Sequence, residues 1–309
     1  MTKNMLMPVF ITALFFVGCE SSDVRPVEKV HSDDIVSSVE LQRKNQEKEE
    51  GVYYFGFDPR NSPQKDVARY IPLMNYLEKR TGVKFKLHFT PKNSSTVEEL
   101  GRNNTQFALM GAMGFLKAQM LYSTEVLVRG INRDGESKYR SFFVTRPDST
   151  ITGVRGHTLA FGDVDSTQGH LIPKIELKKK GVSIDSLKAF AYTGSHQKCV
   201  ESVISGRYEI CAMQDQLAQR LFKKGLIRVI HRSSWYPSSG IVANSSVPQE
   251  VLEKVQKALV DFDPQGRDKE GLYHWEDTEM PLGFTAVNPQ DYAELREWAI
   301  KLGLLPQKD

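Results

Sequence analysis

TLAFGDVDSTQGHLIP, residues 158–173, joins a short apolar run to the start of a helix through a polar turn. The run 158–162 is apolar and ends on a glycine, which reads as a short buried strand. Asp163 to Gly169 is rich in turn and cap residues, and Pro173 falls in the first turn of a helix expected over 169–181. Hydroxyls and open N–H groups at a helix start form a ready anion site, helped by the positive end of the helix dipole. Ser, Thr and Asp are also the common residues of an ordinary helix cap, and on pattern alone that reading competes.

Working outward, Gly194-Ser195-His196 repeats the arrangement between a strand expected at 189–192 and a helix at 197–205. Two such turns in one lobe would aim their N–H groups at one crevice, where a histidine can donate to an anion. Strands follow at 209–213 and 227–230. Upstream, strands at 51–57, 85–90 and 107–110 alternate with helices at 64–80 and from 97, and a glycine-rich turn is expected at 111–114. A strand over 139–146 leads out of this first series, the chain re-enters at 240–243, and helices at 249–262 and 289–302 close it. The class is α/β with two lobes. Each is a mostly parallel sheet flanked by helices, with two crossover strands as a hinge and the ligand between the lobes. Expected limits are 51–143 plus 242–309 for the first lobe and 144–241 for the second.

The N-terminus reads as a signal segment, 1–18. Lys3 precedes an apolar run, 5–17, that is short for a membrane span. Phe16-Val17-Gly18-Cys19 resembles the bacterial lipobox, which makes Cys19 the lipidated mature N-terminus; a plain signal peptide is the alternative. Residues 19–50, polar and charged, read as a flexible tether. The formal net charge of +3 comes without a basic stripe interleaved with aromatics, so nucleic acid is not an expected partner. Cys199 and Cys211 sit among apolar neighbours, which favours two core thiols, although an oxidising compartment allows a disulfide. With no C-x-x-C and no H-E-x-x-H, neither a metal site nor a cofactor is expected.

The run from Phe161 to Pro173, with Gly194-Ser195-His196, Gly206 and Ile210-Cys211-Ala212 after it, resembles the phosphonate, phosphite and phosphate binding proteins of ABC importers. Phe55-Gly56 and the helix ending at Gly82 resemble that family's opening. The resemblance implies a type II periplasmic-binding fold that takes a small phosphorus oxyanion in its cleft and passes it to ABC permease subunits. It implies a monomer on the periplasmic side of a bacterial membrane or at the cell surface. It places Ser166, Thr167, His196 and Tyr139 on the ligand, with Ser195 beside them. Gln168 stands where the family has a third hydroxyl, and Asn93 where some members have tyrosine. Gln216, with Asp215 beside it, replaces the acid that aminoalkylphosphonate binders set against an ammonium.

Two other functions share these residues. A lipoprotein of the same fold could sense its ligand and signal to a membrane histidine kinase. An enzyme on a related two-lobed fold is disfavoured, since the chain has no G-x-S-x-G elbow and no Walker loop. Lys178-Lys179-Lys180 reads as a solvated helix end or a partner patch.

Overall fold

The computed structural model describes residues 51–58, 63–91 and 93–307, all within one unit spanning 48–309. The signal segment, Cys19 and the tether lie outside the described residues. The first series is β1 (Val52–Phe57), α1 (Pro63–Thr81), β2 (Lys84–Leu87), α2 (Thr96–Gly101), β3 (Phe107–Met110), α3 (Ala112–Tyr122) and β4 (Glu125–Gly130). Then come β5 (Lys138–Tyr139), β6 (Ser141–Thr145), β7 (Thr158–Phe161), α4 (Ile172–Lys179), β8 (Ala189–Tyr192), α5 (His196–Ile204), β9 (Ile210–Gln214), α6 (Asp215–Lys223) and β10 (Arg228–Arg232). The chain closes with β11 (Tyr236–Pro237), β12 (Gly240–Ala243), α7 (Gln249–Val260), β13 (Phe284–Ala286) and α8 (Ala293–Lys301).

These strands form two mixed sheets and a ribbon. One sheet has the order β13-β4-β12-β3-β1-β2, with β12 and β13 running against the other four. The second has the order β10-β6-β9-β7-β8, with β6 alone reversed. Between them, β5 and β11 pair antiparallel, Tyr139 opposite Tyr236 and Lys138 opposite Pro237. The chain crosses at this ribbon in both directions, entering the second sheet at Ser141 and the first again at Gly240.

Apolar spacing explains the packing. In α1 the buried residues Asp66, Arg69, Tyr70, Leu73, Met74 and Leu77 recur at three- and four-residue steps, one face of a helix. That face joins Phe55, Phe57 and Phe107 of the first sheet in one core. A second core joins the first sheet to the ribbon and to the helix that follows β7. Phe115 and Leu116 of α3 pack with Leu171, Ile172 and Ile175 at the start of α4, and with Tyr139 and Tyr236 of the ribbon.

Three expectations are corrected. Residues 111–114 are not a free turn: Gly111 caps α3, which starts at Ala112. Its sequence AMGFLKAQMLY is apolar on nearly all sides because the helix is buried, so no amphipathic period marked it. Gly114 lies inside this helix, and a Cβ there would stand 3.5 Å from Met110 and 3.7 Å from Val97. Cys199 and Cys211 are joined in a disulfide, with Cα atoms 5.6 Å apart, rather than being two thiols. The packing of α5 on β9 sets that distance, and spacing along the chain could not show it. Within the lysine run, Lys179 is not simply solvated. It donates to the Tyr236 hydroxyl at 3.0 Å, pairs with Glu294 at 3.3 Å and lies 5.6 Å from the Trp298 ring centre.

The disulfide closes a short loop, and such a bond stabilises by restricting the unfolded chain, here by about 3 kcal/mol. Urea unfolding with and without reductant should show a loss of roughly that size. An unchanged midpoint, with thiol titration confirming that reductant has opened the bond, would show that it adds no stability; two free thiols before any reductant would overturn the bond itself.

Candidate functional site

The polar turn after β7 is built from its own side chains. Asp163 Oδ1 accepts from the Asp165 N–H at 2.8 Å, and Ser166 Oγ accepts from Gly169 N–H at 2.9 Å. The segment Thr167–Leu171 is a single π-helical turn that leads into α4. Such turns concentrate at functional sites because they re-aim side chains. His170, inside it, bonds the Val164 carbonyl through Nδ1 at 2.6 Å and meets the Tyr192 hydroxyl with Nε2 at 2.8 Å. A carbonyl only accepts, so the proton sits on Nδ1 and Nε2 accepts from Tyr192. Burial pulls the His170 pKa down to about 4, which leaves the ring a neutral brace for the turn.

Thr167 and Gln168 reach the rest of the site. Thr167, 4% exposed, accepts the Met113 N–H with Oγ1 at 2.9 Å. The Tyr139 hydroxyl accepts the Ala112 N–H at 3.4 Å and is itself hydrogen-bonded to Thr167. The Gly111 N–H is taken by Asp58 Oδ2 at 3.2 Å. The first N–H groups of α3 therefore meet oxygens from the end of β1, the ribbon and the turn after β7. Gln168 Nε2 donates to the Arg140 carbonyl at 2.9 Å and to Asp215 Oδ1 at 3.2 Å. Asp215, 5% exposed at the start of α6, also accepts from the N–H of Arg140 at 3.2 Å and of Gln216 at 2.8 Å.

His196 opens α5, capped by Ser195, whose Oγ accepts the Lys198 N–H at 3.1 Å. Its ring lies against two glycines. A Cβ on Gly169 would stand 2.9 Å from His196 Cε1, and one on Gly162 would be 3.4 Å from Nδ1. Gly162 and Gly169 are thus the gap that admits the imidazole. Of the expected residues, Tyr139 bonds Thr167 and Gln168 bonds Asp215, two pairs that are neighbours through the Tyr139–Arg140 and Thr167–Gln168 chain, while Ser166 and His196 adjoin them through Gly169. Ser166 and Ser195 both act as caps, which uses their oxygens as acceptors and leaves each O–H available to donate. Asn93 stands exposed in the turn before α2, outside that group.

Sequence reasoning missed several members. Arg140 binds Gln168 and Asp215 through its backbone, and its guanidinium lies 4.3 Å from the Trp235 ring centre. Ala112 and Met113 contribute only N–H groups, which no side-chain motif reveals. Glu279, bonded by the Ser239 hydroxyl, adds negative charge that both Asp215 and Tyr139 feel. Burial pushes the Asp215 carboxyl up to about 6, with Glu279 adding to the rise and the N–H bonds opposing it. Burial also pushes the Tyr139 phenol well above its ordinary value, so it stays a neutral hydroxyl. The arrangement combines hydroxyls, an amide and N–H groups with the Asp215 and Glu279 carboxylates.

Comparison with known proteins agrees. Residues 55–292 match the family described as ABC transporter, phosphonate, periplasmic substrate-binding protein. The chain belongs to this family. It is therefore a periplasmic substrate-binding component of an ABC transporter and not an enzyme. The phosphonates-binding periplasmic protein of Escherichia coli K12 is 21% identical over 242 residues, 74% of this chain and 71% of that one. The probable ABC transporter phosphite binding protein PhnD1 of Prochlorococcus marinus is 24% identical over 179 residues, 54% of each chain. The solved structure of PhnD1 with methylphosphonate superposes with a TM-score of 0.72 at 17% identity, over 82% of this chain and 99% of that one. These neighbours share the type II periplasmic-binding fold.

Asp215 makes the site sensitive to pH. The folded chain holds this proton to about pH 6, whereas an unfolded aspartate releases it near 4. Stability contributed at low pH is thus lost as pH rises through that window, by about 3 kcal/mol at ~1.4 kcal/mol per pKa unit. Asp215→Asn removes the titration. Urea unfolding should show the variant gaining on the wild type by roughly that amount between pH 4 and pH 7. A constant difference across the range would show that Asp215 titrates normally.

Proposed function

We propose that the cleft between the two sheets takes one phosphorus oxyanion and that Ser166, Thr167, Gln168, Ser195, His196 and Tyr139 are its donors. A phosphonate is the first choice, with phosphite and phosphate as the other oxyanions of the same chemistry. The observation that carries this reading is the meeting of α3's first N–H groups with the Tyr139 and Thr167 hydroxyls at one point. A ligand oxygen entering there replaces a hydroxyl acceptor and leaves both hydroxyls free to turn and donate. Asp215 and Glu279 oppose a full double negative charge nearby, which favours an oxyanion that keeps a proton and gives it to a carboxylate. Asn93, exposed before α2, contributes only if the lobes shift.

In this reading the first sheet belongs to one lobe, the second to the other, and the β5–β11 ribbon is the hinge. The crossings fall after Tyr139 and before Gly240, a few residues from the 144 and 241 limits read from sequence. Lipidation of Cys19 would hold the protein at the membrane beside its permease, with 20–50 as the leash.

Calorimetry with phosphate, phosphite, methylphosphonate and 2-aminoethylphosphonate tests the site. At least one should bind, and Ser166→Ala with Thr167→Ala should weaken it by a hundredfold or more, about 3 kcal/mol for two charge-assisted bonds. Binding unaffected by the double substitution would place the ligand elsewhere. Incorporation of labelled fatty acid, lost in Cys19→Ser, tests the anchor; incorporation that survives the substitution would sink it.

A further inference from the structure

A cavity of about 560 Å³ lies in the region of the second sheet, and none of the residues proposed for the oxyanion lines it. The cleft groups leave the carboxyl ends of β7, β8 and β9. The cavity is instead bounded by His157, just ahead of β7, and by Lys180, just past the end of α4. Its volume is that of a small-molecule site. Phe143, Ile151, Val154, Leu177, Val182 and Ile230 supply an apolar floor, an opening in the core between α4 and the sheet. At one wall His231 is hydrogen-bonded to the buried Glu176 at 2.7 Å and packs on Phe143 with ring centres 5.6 Å apart, so that carboxylate already has a partner.

The rim differs. Arg155 donates to the Gly181 carbonyl at 3.1 Å, which holds its guanidinium beside the Gly181–Val182 peptide, one residue past Lys180. Both cations line the cavity, both are exposed, and among the described residues neither has a carboxylate partner. Two like charges at one mouth, Arg155 held by its backbone bond, above an apolar floor, complement a ligand with the opposite pattern. We infer that this cavity binds a small amphipathic carboxylate, its apolar body on Phe143 and Ile230 and its head between Arg155 and Lys180. This site is independent of the oxyanion cleft and does not rest on the function proposed for it.

The test titrates the purified full-length chain with 2-naphthoate, with neutral 2-naphthylmethanol and cationic 2-naphthylmethylammonium as controls, followed by calorimetry. Naphthoate should bind saturably at one site, about tenfold more tightly than the alcohol, with the ammonium weaker still. Arg155→Ala with Lys180→Ala should remove that tenfold preference while leaving the alcohol's binding unchanged, which shows the floor intact. Val154→Trp should fill the cavity and abolish binding of both, and Ser166→Ala with Thr167→Ala should leave naphthoate unaffected. The proposal is overturned by the absence of saturable binding, by equal binding of acid and alcohol, by a double rim variant that keeps the preference, or by loss of naphthoate in the cleft variant.

Discussion

The start of α3 is the constraint on which the site depends. A helix leaves its first N–H groups without partners inside the helix, and a buried start must find oxygens elsewhere. Asp58, Tyr139 and Thr167 provide them from three separate elements. The end of β1, the ribbon strand β5 and the turn after β7 are thereby pinned to one point. The apolar contact of Phe115 and Leu116 with Leu171 and Ile175 runs alongside and keeps water from competing for those bonds. Two of the three partners are hydroxyls, which accept from a helix or donate to an anion by a rotation of one bond.

Around that point the geometry is set by what is small and what is buried. Gly162 and Gly169 leave the room that His196 fills, so the imidazole is located by missing side chains as much as by its own bonds. Asp215 is held by three N–H donors, and its burial still costs about 3 kcal/mol above pH 6. A buried carboxylate retained at that cost is a candidate for function rather than for stability.

Legibility in the sequence followed the range of the forces involved. The strands at 107–110 and 189–192 match β3 and β8 residue for residue, and the re-entry at 240–243 coincides with β12, because short apolar runs bounded by turn residues are local signals. The caps at Ser166 and Ser195 were legible for the same reason, since a cap is written within four residues. α3 was hidden because its glycines look like turn residues and its burial erases the amphipathic period. The Cys199–Cys211 bond, the Arg140 backbone contacts and the charge of Glu279 depend on elements far apart in sequence, and no spacing encodes them. Asn93 shows the converse. Its match to a family position is local, yet the turn that carries it points to solvent.

The bond between Cys199 and Cys211 also orders events in the life of the chain. It ties α5, which begins with His196, to β9, which runs into Asp215 at the head of α6. Thiols stay reduced in the cytosol and oxidise in the periplasm. Before export, then, α5 and β9 lack that covalent link. The covalent tie is added where the ligand is met, so the chain crosses the membrane in its more easily unfolded form and becomes firmer at its place of work.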